Sequence, residues 1–460
     1  MLGILGQPGN PAQARSSRTH LRSTTTPTQT ASPQPPPPLP RATPEEAGVD
    51  GEVLARIDDV MREAIVHRET PGGVVLVGRS GRIVFERAYG HRSLEPTRER
   101  TRLDTIYDLA SLTKVVATTP AILQLVEQGH IRLGDRLSAY LPDWHAAISG
   151  ARPAAAATSA TAAPIESPHE RITLRQLLTH TSGLDDPSSA FFAALTSGQH
   201  GLVDRTEVRR QLLAAIAGRE LIAPPGSRFV YSDLNFILLG EVVERVTGEP
   251  LDGYAAREIF DRLGMVDTGY RPRRSLAPRI APTVWTGLSL FKSPRPSARR
   301  MLRREASMQN VTQLSGVAGH AGLFSTAADL ARLCQALLGD GELFGQRFLS
   351  PLTVAAMTHD QAGLNSGEKR GYGWDIQSAL SVPRGDLLPG GYGHTGWSGG
   401  SLWIVPEEQL FIIVLTNRVH PHGGGSPSPL RAKIANVVAA SLRPQHPAAA
   451  PAPSASKTQM

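Results

Sequence analysis

Strand-forming segments lie near both ends of this 460-residue chain, and helix-forming segments fill the long stretch between them. Within residues 72–89, two apolar runs are separated by Ser80-Gly81, which predicts a hairpin with a tight turn. Three further runs, at residues 393–396, 401–406 and 409–416, predict three more strands. The pattern therefore predicts a five-stranded antiparallel sheet whose two halves are separated by a large insertion.

Amphipathic helices are predicted at both ends of the folded chain. Behind Asp50 as N-cap, apolar residues recur at three- and four-residue steps from Val53 to Ile65. A closing helix is predicted over residues 430–442. Both helices can cover the sheet, so the fold class is a mixed α/β (α+β) one with flanking helices.

The middle of the chain has helical periodicity. Helices are predicted over residues 111–129, 174–178, 208–217, 235–246 and 251–263. Thr326 and Asp329 form a capping-box pattern that opens another helix through Leu338. Pro120 should bend or break the first of these helices after about two turns.

Composition suggests where the domains begin and end. Residues 1–42 are rich in Pro, Ser and Thr and are expected to be disordered, like the tail 444–460 and a low-complexity insertion near 151–168. The sheet domain should comprise residues 43–110 and 385–443. The mainly helical domain should comprise residues 111–384, and a cleft between the two is a natural place for a site.

Hydropathy and charge exclude several classes of protein. No apolar run reaches the roughly 18 to 20 residues of a membrane span, and no secretory leader is recognisable. The protein is therefore cytoplasmic as read, or extracytoplasmic if the start is mis-assigned. The net charge of +7 comes largely from the leader and from a basic loop around residues 292–304, so we expect solvated surface and no nucleic-acid partner. The single cysteine, Cys334, is expected in the core.

Ser111 and Lys114 are the first candidates for chemistry. Three residues apart on a helix, they share one face within hydrogen-bonding reach. A serine hydroxyl needs a base to become a nucleophile, and a buried lysine can serve. With Asp108 as N-cap, Ser111 would also lie in the first turn, where the helix dipole favours developing negative charge.

Two further triplets accompany this pair: Tyr231-Ser232-Asp233, and His394-Thr395-Gly396 on a predicted strand. With them, the chain resembles the β-lactamase-related serine hydrolases, which include class C β-lactamases, D-Ala peptidases of the penicillin-binding type and esterases. The resemblance also covers residues 177–184, 316–326 and 393–400, and spans roughly residues 43–440.

The resemblance implies that Ser111 is acylated and that Lys114 takes or shuttles its proton. Tyr231 would be the general base or would relay the proton to the leaving group. His394, Thr395 and Gly396 would bind the far side of the substrate. By the same analogy, the backbone N–H groups of Ser111 and Trp397 would form the oxyanion hole.

Two residues depart from the family pattern. Asp233 stands where an asparagine is common; if it pairs with Lys114, it holds the lysine protonated and shifts the role of base to Tyr231. His394 stands where a lysine is common, so the fixed cation that would attract a substrate carboxylate is missing. An uncharged ester or amide becomes as suitable a substrate as a β-lactam or a D-Ala peptide.

Other candidates have simpler explanations. Ser398 lies in a Gly-x-Ser-x-Gly pattern, but a strand follows it where a nucleophile elbow needs a helix. His180 and His320 are expected to be hydrogen-bonded structural histidines. His420 and His422 lack companion ligands, so we predict no metal, and no phosphate-binding loop or cofactor motif is present.

The sequence thus favours a serine hydrolase that forms an acyl-enzyme with a small-molecule or peptide substrate. An alternative is a catalytically inactive module that binds a cell-wall peptide or another ligand, which the two substitutions would explain. A third is a basic scaffold that binds anions through its arginine-rich loop. The natural substrate and the oligomeric state are left open.

Overall fold

The computed structural model describes residues 37–151, 167–186, 205–286, 300–308, 311–312, 314–423 and 425–443. Most of the segments expected to be disordered, residues 1–42, 151–168 and 444–460, lie outside the described residues; within the first segment residues 37–42 are described, and Leu39 there is buried. The first part of the basic loop, residues 292–299, also lies outside them.

Thirteen strands occur in the described residues, and eight of them form one antiparallel sheet. The strands are β1 Gly72–Arg79, β2 Arg82–Ser93, β3 Glu99–Arg100, β4 Tyr107–Asp108, β5 Gly269–Tyr270, β6 Leu323–Ser325, β7 Glu342–Leu343, β8 Gln346–Arg347, β9 Lys369–Arg370, β10 Asp375–Gln377, β11 Tyr392–Thr395, β12 Ser401–Val405 and β13 Leu410–Thr416. The order in the large sheet is β3-β2-β1-β13-β12-β11-β10-β9.

The five predicted strands are the inner ones of this sheet, from β2 to β11. The predicted count was too low by three, because β3, β9 and β10, at the two ends of the sheet, have only two or three residues each and are too short to show alternation. The predicted hairpin turn is confirmed: Ser80 and Gly81 both have positive φ, 51° and 79°, as a primed two-residue turn requires.

The sheet lies between two apolar cores, and β1 shows why. Val74 and Leu76 face the larger core, which the middle of the chain supplies. Val75 and Val77 face the second core, shared with helices from both chain ends. Because both faces of β1 are covered, the strand is buried along its whole length.

The α-helices of the described residues are α1 Gly51–Leu54, α2 Ile57–Val66, α3 Thr119–Glu127, α4 Pro142–Ala151, α5 Leu174–Leu178, α6 Arg205–Ala217, α7 Asp233–Thr247, α8 Leu251–Ala255, α9 Asp261–Leu263, α10 Ala327–Leu338, α11 Pro351–Thr358 and α12 Ser428–Ser441. Asp50 caps α1 by accepting the N–H groups of Glu52 and Val53, as predicted. The predicted first helix is interrupted between Leu54 and Ile57, giving α1 and α2. Among the described helices, none is long and apolar enough to cross a membrane.

The segment that carries Ser111 is not one regular helix. A 3₁₀ turn, Ala110–Leu112, is followed by a π-helical turn, Lys114–Thr118, and only then by α3. Pro120 lies at the start of α3, where a missing N–H is tolerated, so the predicted interruption takes the form of a change in hydrogen-bond pattern. π turns are often found at functional sites.

Candidate active site

The turn before Ser111 is held in an unusual conformation. Ala110 has φ +46°, a left-handed value that costs energy for a residue with a Cβ. Asp108 accepts the N–H of Ala110 at 2.9 Å and that of Ser307 at 2.7 Å. The expected N-cap role of Asp108 is therefore wrong in detail: the 3₁₀ turn begins after Leu109, and the buried carboxylate ties the turn to a neighbouring loop.

The end of β11 supports the same turn from the other side. Ser398 donates its hydroxyl to the Asp108 carbonyl at 2.6 Å. A Cβ added to Gly396 would lie 2.4 Å from the Leu109 carbonyl oxygen, so only glycine allows this approach. Ser398 is thus a support for the Ser111 turn, and its hydroxyl is already engaged.

Lys114 is fully buried and donates three hydrogen bonds. Its acceptors are Ser111 Oγ at 2.9 Å, Asp233 Oδ1 at 2.7 Å and the His320 carbonyl at 3.2 Å. An ammonium group has three protons and no acceptor, and all three are used. Burial lowers the pKa of Lys114, but the charge of Asp233 and the other interactions with Asp233 and Tyr231 together outweigh burial, and the net pKa lies above the ordinary value.

Asp233 is the first residue of α7, behind the N-cap Ser232, whose hydroxyl accepts the Leu234 N–H. Burial opposes its ionisation, but Lys114 holds the pKa of the carboxyl below its usual value. The Asp233 N–H is donated to Asp186 at 3.2 Å. Burial, followed by the charge of Asp233, raises the pKa of Asp186 to about 6.

Tyr231 is packed between His180 and Lys114. Its ring stacks on the His180 imidazole with centroids 4.5 Å apart, and the Lys114 Nζ lies 5.1 Å from the ring centre. Burial raises the pKa of Tyr231, whereas the charge of Lys114 and a side-chain hydrogen bond with Ser111 act to lower it. The phenol therefore belongs to the same cluster as the serine and the lysine.

The two histidines that the sequence suggested to be structural both lie in this cluster. His180 Nδ1 accepts the Ser232 N–H at 3.2 Å, and burial holds the pKa of His180 well below its usual value. His320 lies close to Asp233 and Lys114; neither ring nitrogen has a protein partner in the described residues, and burial lowers its pKa to about 4. Both imidazoles are neutral at neutral pH.

The third motif lies at the end of β11: His394 and Thr395 are the last residues of the strand, and Gly396 follows it. His394 Nδ1 donates to the Thr395 carbonyl at 2.8 Å, and the His394 ring lies 6.1 Å from that of Tyr231. Burial, Arg370 and Lys114 hold the pKa of His394 well below its usual value. This residue therefore brings no positive charge to the site at neutral pH.

A cavity of about 340 Å³ opens beside Ser111. Its walls are formed by Ser111, Tyr231, Arg370, Asp375, Leu380, His394, Thr395, Gly396, Trp397, Arg418, Ser426, Pro427, Ser428 and Arg431. With Lys114 and Asp233 directly behind, the structure brings all eight residues singled out in the sequence to one place. Their chemical roles stay predictions.

Three arginines in this wall were missed in the sequence. Arg431 Nη2 donates to the carbonyls of Gly396 and Gly400, at 2.9 and 2.7 Å, and burial lowers its pKa to about 9. Arg418 Nε donates to the Trp397 carbonyl at 2.9 Å. Arg370 is fully buried on β9. A signal existed only for Arg431, which interrupts the apolar face of the closing helix one residue after Leu430.

In the described part of the chain, no group of three or more His, Cys, Asp or Glu side chains is placed to hold a metal ion. Cys334 is buried in the larger core, as predicted. In the described part of the basic loop, Arg300 pairs with Glu305 and Arg303 with Glu99.

The sequence profile of the Beta-lactamase family matches residues 57–436. A relative from Escherichia coli K12, provisionally named a D-alanyl-D-alanine carboxypeptidase, is 30% identical over 83% of this chain and 86% of its own. An N-acetylmuramyl-L-alanine amidase from Bacillus subtilis strain 168 is 30% identical over 82% and 83%.

Solved structures are similar over most of the chain. EstCE1, a hydrolase with promiscuous acyltransferase activity, is 25% identical and covers 84% of this chain and 99% of its own, with a TM-score of 0.61. A class C β-lactamase, 18% identical, covers 86% and 98% with a TM-score of 0.61 and shares the fold.

Proposed function

Because the chain belongs to the β-lactamase family, we propose that it is a serine hydrolase that forms an acyl-enzyme on Ser111. The observation that carries the proposal is the buried cluster in which Lys114 bonds both Ser111 Oγ and Asp233, with Tyr231 beside them. Ser111 Oγ attacks the carbonyl carbon of an ester or amide, the leaving group departs with a proton, and water then hydrolyses the acyl-enzyme.

Tyr231 is the proton acceptor in this mechanism. Lys114 donates all its protons and is paired with a carboxylate, so it is a poor base. The Tyr231 phenolate takes the Ser111 proton and passes it to the leaving group, while Lys114 stabilises the phenolate electrostatically. Burial raises the pKa of Tyr231, so the phenolate is scarce near neutral pH and becomes more populated as the pH rises.

The oxyanion of the tetrahedral intermediate would be bound by the N–H groups of Ser111 and Trp397. Among the described residues, neither group donates to a backbone carbonyl outside regular helices and strands. Ser398 and Gly396 hold the two turns together, which fixes the spacing of the two donors. Preorganised donors of this kind stabilise the developing negative charge.

We infer that the substrate carries a carboxylate near the scissile bond. His394 is neutral, but the cavity wall beyond it contains Arg418 and Arg431. Arg431 uses Nη2 on two carbonyls, and its buried Nε has no hydrogen-bond partner among the described residues. Guanidinium groups match carboxylates in geometry and charge. The name of the E. coli relative, a D-alanyl-D-alanine carboxypeptidase, refers to cleavage beside a free terminal carboxylate, which supports this substrate class.

The test compares two peptides ending in D-Ala-D-Ala, one with a free carboxylate and one with a carboxamide, beside a p-nitrophenyl ester. Wild type should hydrolyse the ester and prefer the free acid, and Ser111→Ala should hydrolyse nothing. Arg431→Gln should lose the preference for the acid, whereas Lys433→Gln, an exposed charge on the same helix, should keep it.

If wild type hydrolysed the free acid and the carboxamide at equal rates, the inference of a substrate carboxylate would be refuted, but the proposed hydrolase activity would stand. A folded wild type that hydrolyses none of the three and forms no acyl adduct would refute the hydrolase and favour a ligand-binding module.

A further inference from the structure

Arg370 is a fully buried cation in the wall of the active-site cavity. Its Nη1 donates to Asp375 Oδ1 at 2.9 Å and its Nη2 to the Gly373 carbonyl at 3.3 Å. Its guanidinium carbon lies 5.0 Å from the ring centre of Phe229. A guanidinium stays protonated in proteins, so this charge is permanent.

The charge of Arg370 is only partly neutralised by its partner. The Asp375 carboxylate also accepts the hydroxyls of Ser378 and Ser381, each at 2.7 Å. Those two hydrogen bonds stabilise the carboxylate independently of the arginine. Arg370 and Tyr231 line the same cavity, and Phe229, over which the Arg370 guanidinium lies, packs edge-on against His180, the ring that stacks on Tyr231. The charge of Arg370 also acts on Tyr231, His180 and His394.

Several elements bring titratable groups to Tyr231. They are Lys114 from the π turn, His180 from the loop after α5, Asp233 from α7, Arg370 from β9 and His394 from β11, with His320 and Asp186 behind Asp233. The three histidines are neutral at neutral pH. When Tyr231 loses its proton, the trio of Lys114, Asp233 and Tyr231 carries one net negative charge in a buried place. Such a state needs a nearby cation.

We propose that Arg370 is a positioning residue that stabilises the proton-accepting state of Tyr231, and so supplies the fixed charge that His394 does not carry. The inference rests on the proposed function, in which Tyr231 takes the Ser111 proton. Arg370 acts through Tyr231 and touches no reacting atom. A third-motif histidine on β11 is compatible with turnover because the cation lies on β9, an edge strand of the same sheet.

The chain offers a matched control. Arg79 is also fully buried and also ion-paired, to Glu408 at 2.8 Å, but it does not line the cavity. Replacing Arg79 by methionine removes a buried arginine with the same kind of bonding. Any effect that Arg370→Met shares with Arg79→Met is therefore one of stability.

The experiment measures the second-order rate of Ser111 labelling by a fluorophosphonate from pH 6 to 11. In Arg370→Met the pH at which this labelling rate rises should be higher. At a fixed pH on the rising part of the profile, each pH unit of displacement lowers the labelling rate about tenfold. Arg370→Lys, which keeps the charge, should stay near wild type, and Arg79→Met should not move.

Asp375→Asn should shift the pH profile of labelling in the opposite direction. Removing the counter-charge leaves Arg370 less neutralised, so the rise should move to lower pH. This variant and Arg370→Lys decide the matter if Arg370→Met does not fold.

Profiles of Arg370→Met and Asp375→Asn that superimpose on a labelled wild type would overturn the role of Arg370 and leave the hydrolase standing. Absence of labelling in wild type would overturn both.

Discussion

The Lys114 ammonium lies 2.7 Å from the Asp233 carboxylate, in a site from which solvent is almost entirely excluded. A buried charge pair of this kind fixes its own protonation states, because separating the charges or neutralising one of them leaves the other uncompensated. In the proposed mechanism this pairing makes Lys114 a poor acceptor for the Ser111 proton. It is the structural reason for assigning that task to Tyr231.

Replacing Asp233 by asparagine should change the pH dependence of acylation. The amide keeps the shape and a hydrogen bond to Lys114 but removes the negative charge, so the cluster loses a proton more easily. The rise in the labelling rate should move about one to three pH units lower. The measurement is fluorophosphonate labelling across pH, with thermal unfolding to establish that the variant is folded.

Asp329→Asn is the control for this variant. Asp329 is another buried carboxylate, at the start of α10, and accepts the Asp267 N–H and the Thr268 hydroxyl. Its substitution should leave the profile in place. Identical profiles for wild type and Asp233→Asn would contradict the assignment of Tyr231 as the base.

In wild type the labelling rate should keep rising from pH 7 to 9. Burial raises the pKa of Tyr231, so its base form grows throughout this range, whereas a histidine base would give a plateau above about pH 7. His394→Gln should preserve the shape of the profile, because His394 is already neutral. A plateau that begins near neutral pH and disappears in His394→Gln would show that this histidine is the base.

Ser398→Ala separates support from nucleophilic attack. The variant loses the 2.6 Å hydrogen bond to the Asp108 carbonyl, so its free energy of unfolding should be lower by about 1 kcal/mol. Labelling of Ser111 should slow several-fold, because the strained turn at Ala110 is less firmly held, but it should still go to completion. Complete loss of labelling in a folded Ser398→Ala protein would contradict the secondary role of Ser398.

Gly396→Ala should damage the site more than the fold. The new Cβ would meet the Leu109 carbonyl, so β11 and the Ser111 turn must separate, at a cost of about 1–3 kcal/mol in stability. Labelling should fall by at least tenfold because the N–H groups of Ser111 and Trp397 move apart. Gly425→Ala, whose Cβ would meet nothing within 4 Å, should behave as wild type.

Much of the fold was predictable from local pattern. β1, β12 and β13 have continuous apolar runs. Asp50 and Thr326 cap helices by short-range hydrogen bonds that sequence spacing reveals. The short edge strands and the π turn at Lys114 were not predictable, because tertiary contacts and not periodicity determine them.

The candidate site divides in the same way. Ser111, Lys114, Tyr231 and His394 belong to motifs, so their spacing along the chain already singled them out. Arg370 had no such signal, since only the pairing of β9 with β10 in the sheet brings it into the wall of the cavity. The sequence indicated that His180 could lie near the cleft, but not that it stacks on Tyr231, because the two residues are 51 positions apart in the chain.

The most direct test of the central claim is intact-mass analysis after fluorophosphonate treatment, followed by peptide mapping, on wild type, Ser111→Ala and Ser398→Ala. The account predicts one adduct per chain, on Ser111, that Ser111→Ala lacks and Ser398→Ala retains. An adduct that persists in Ser111→Ala, or a folded wild type that forms none, would contradict the assignment of Ser111 as the nucleophile.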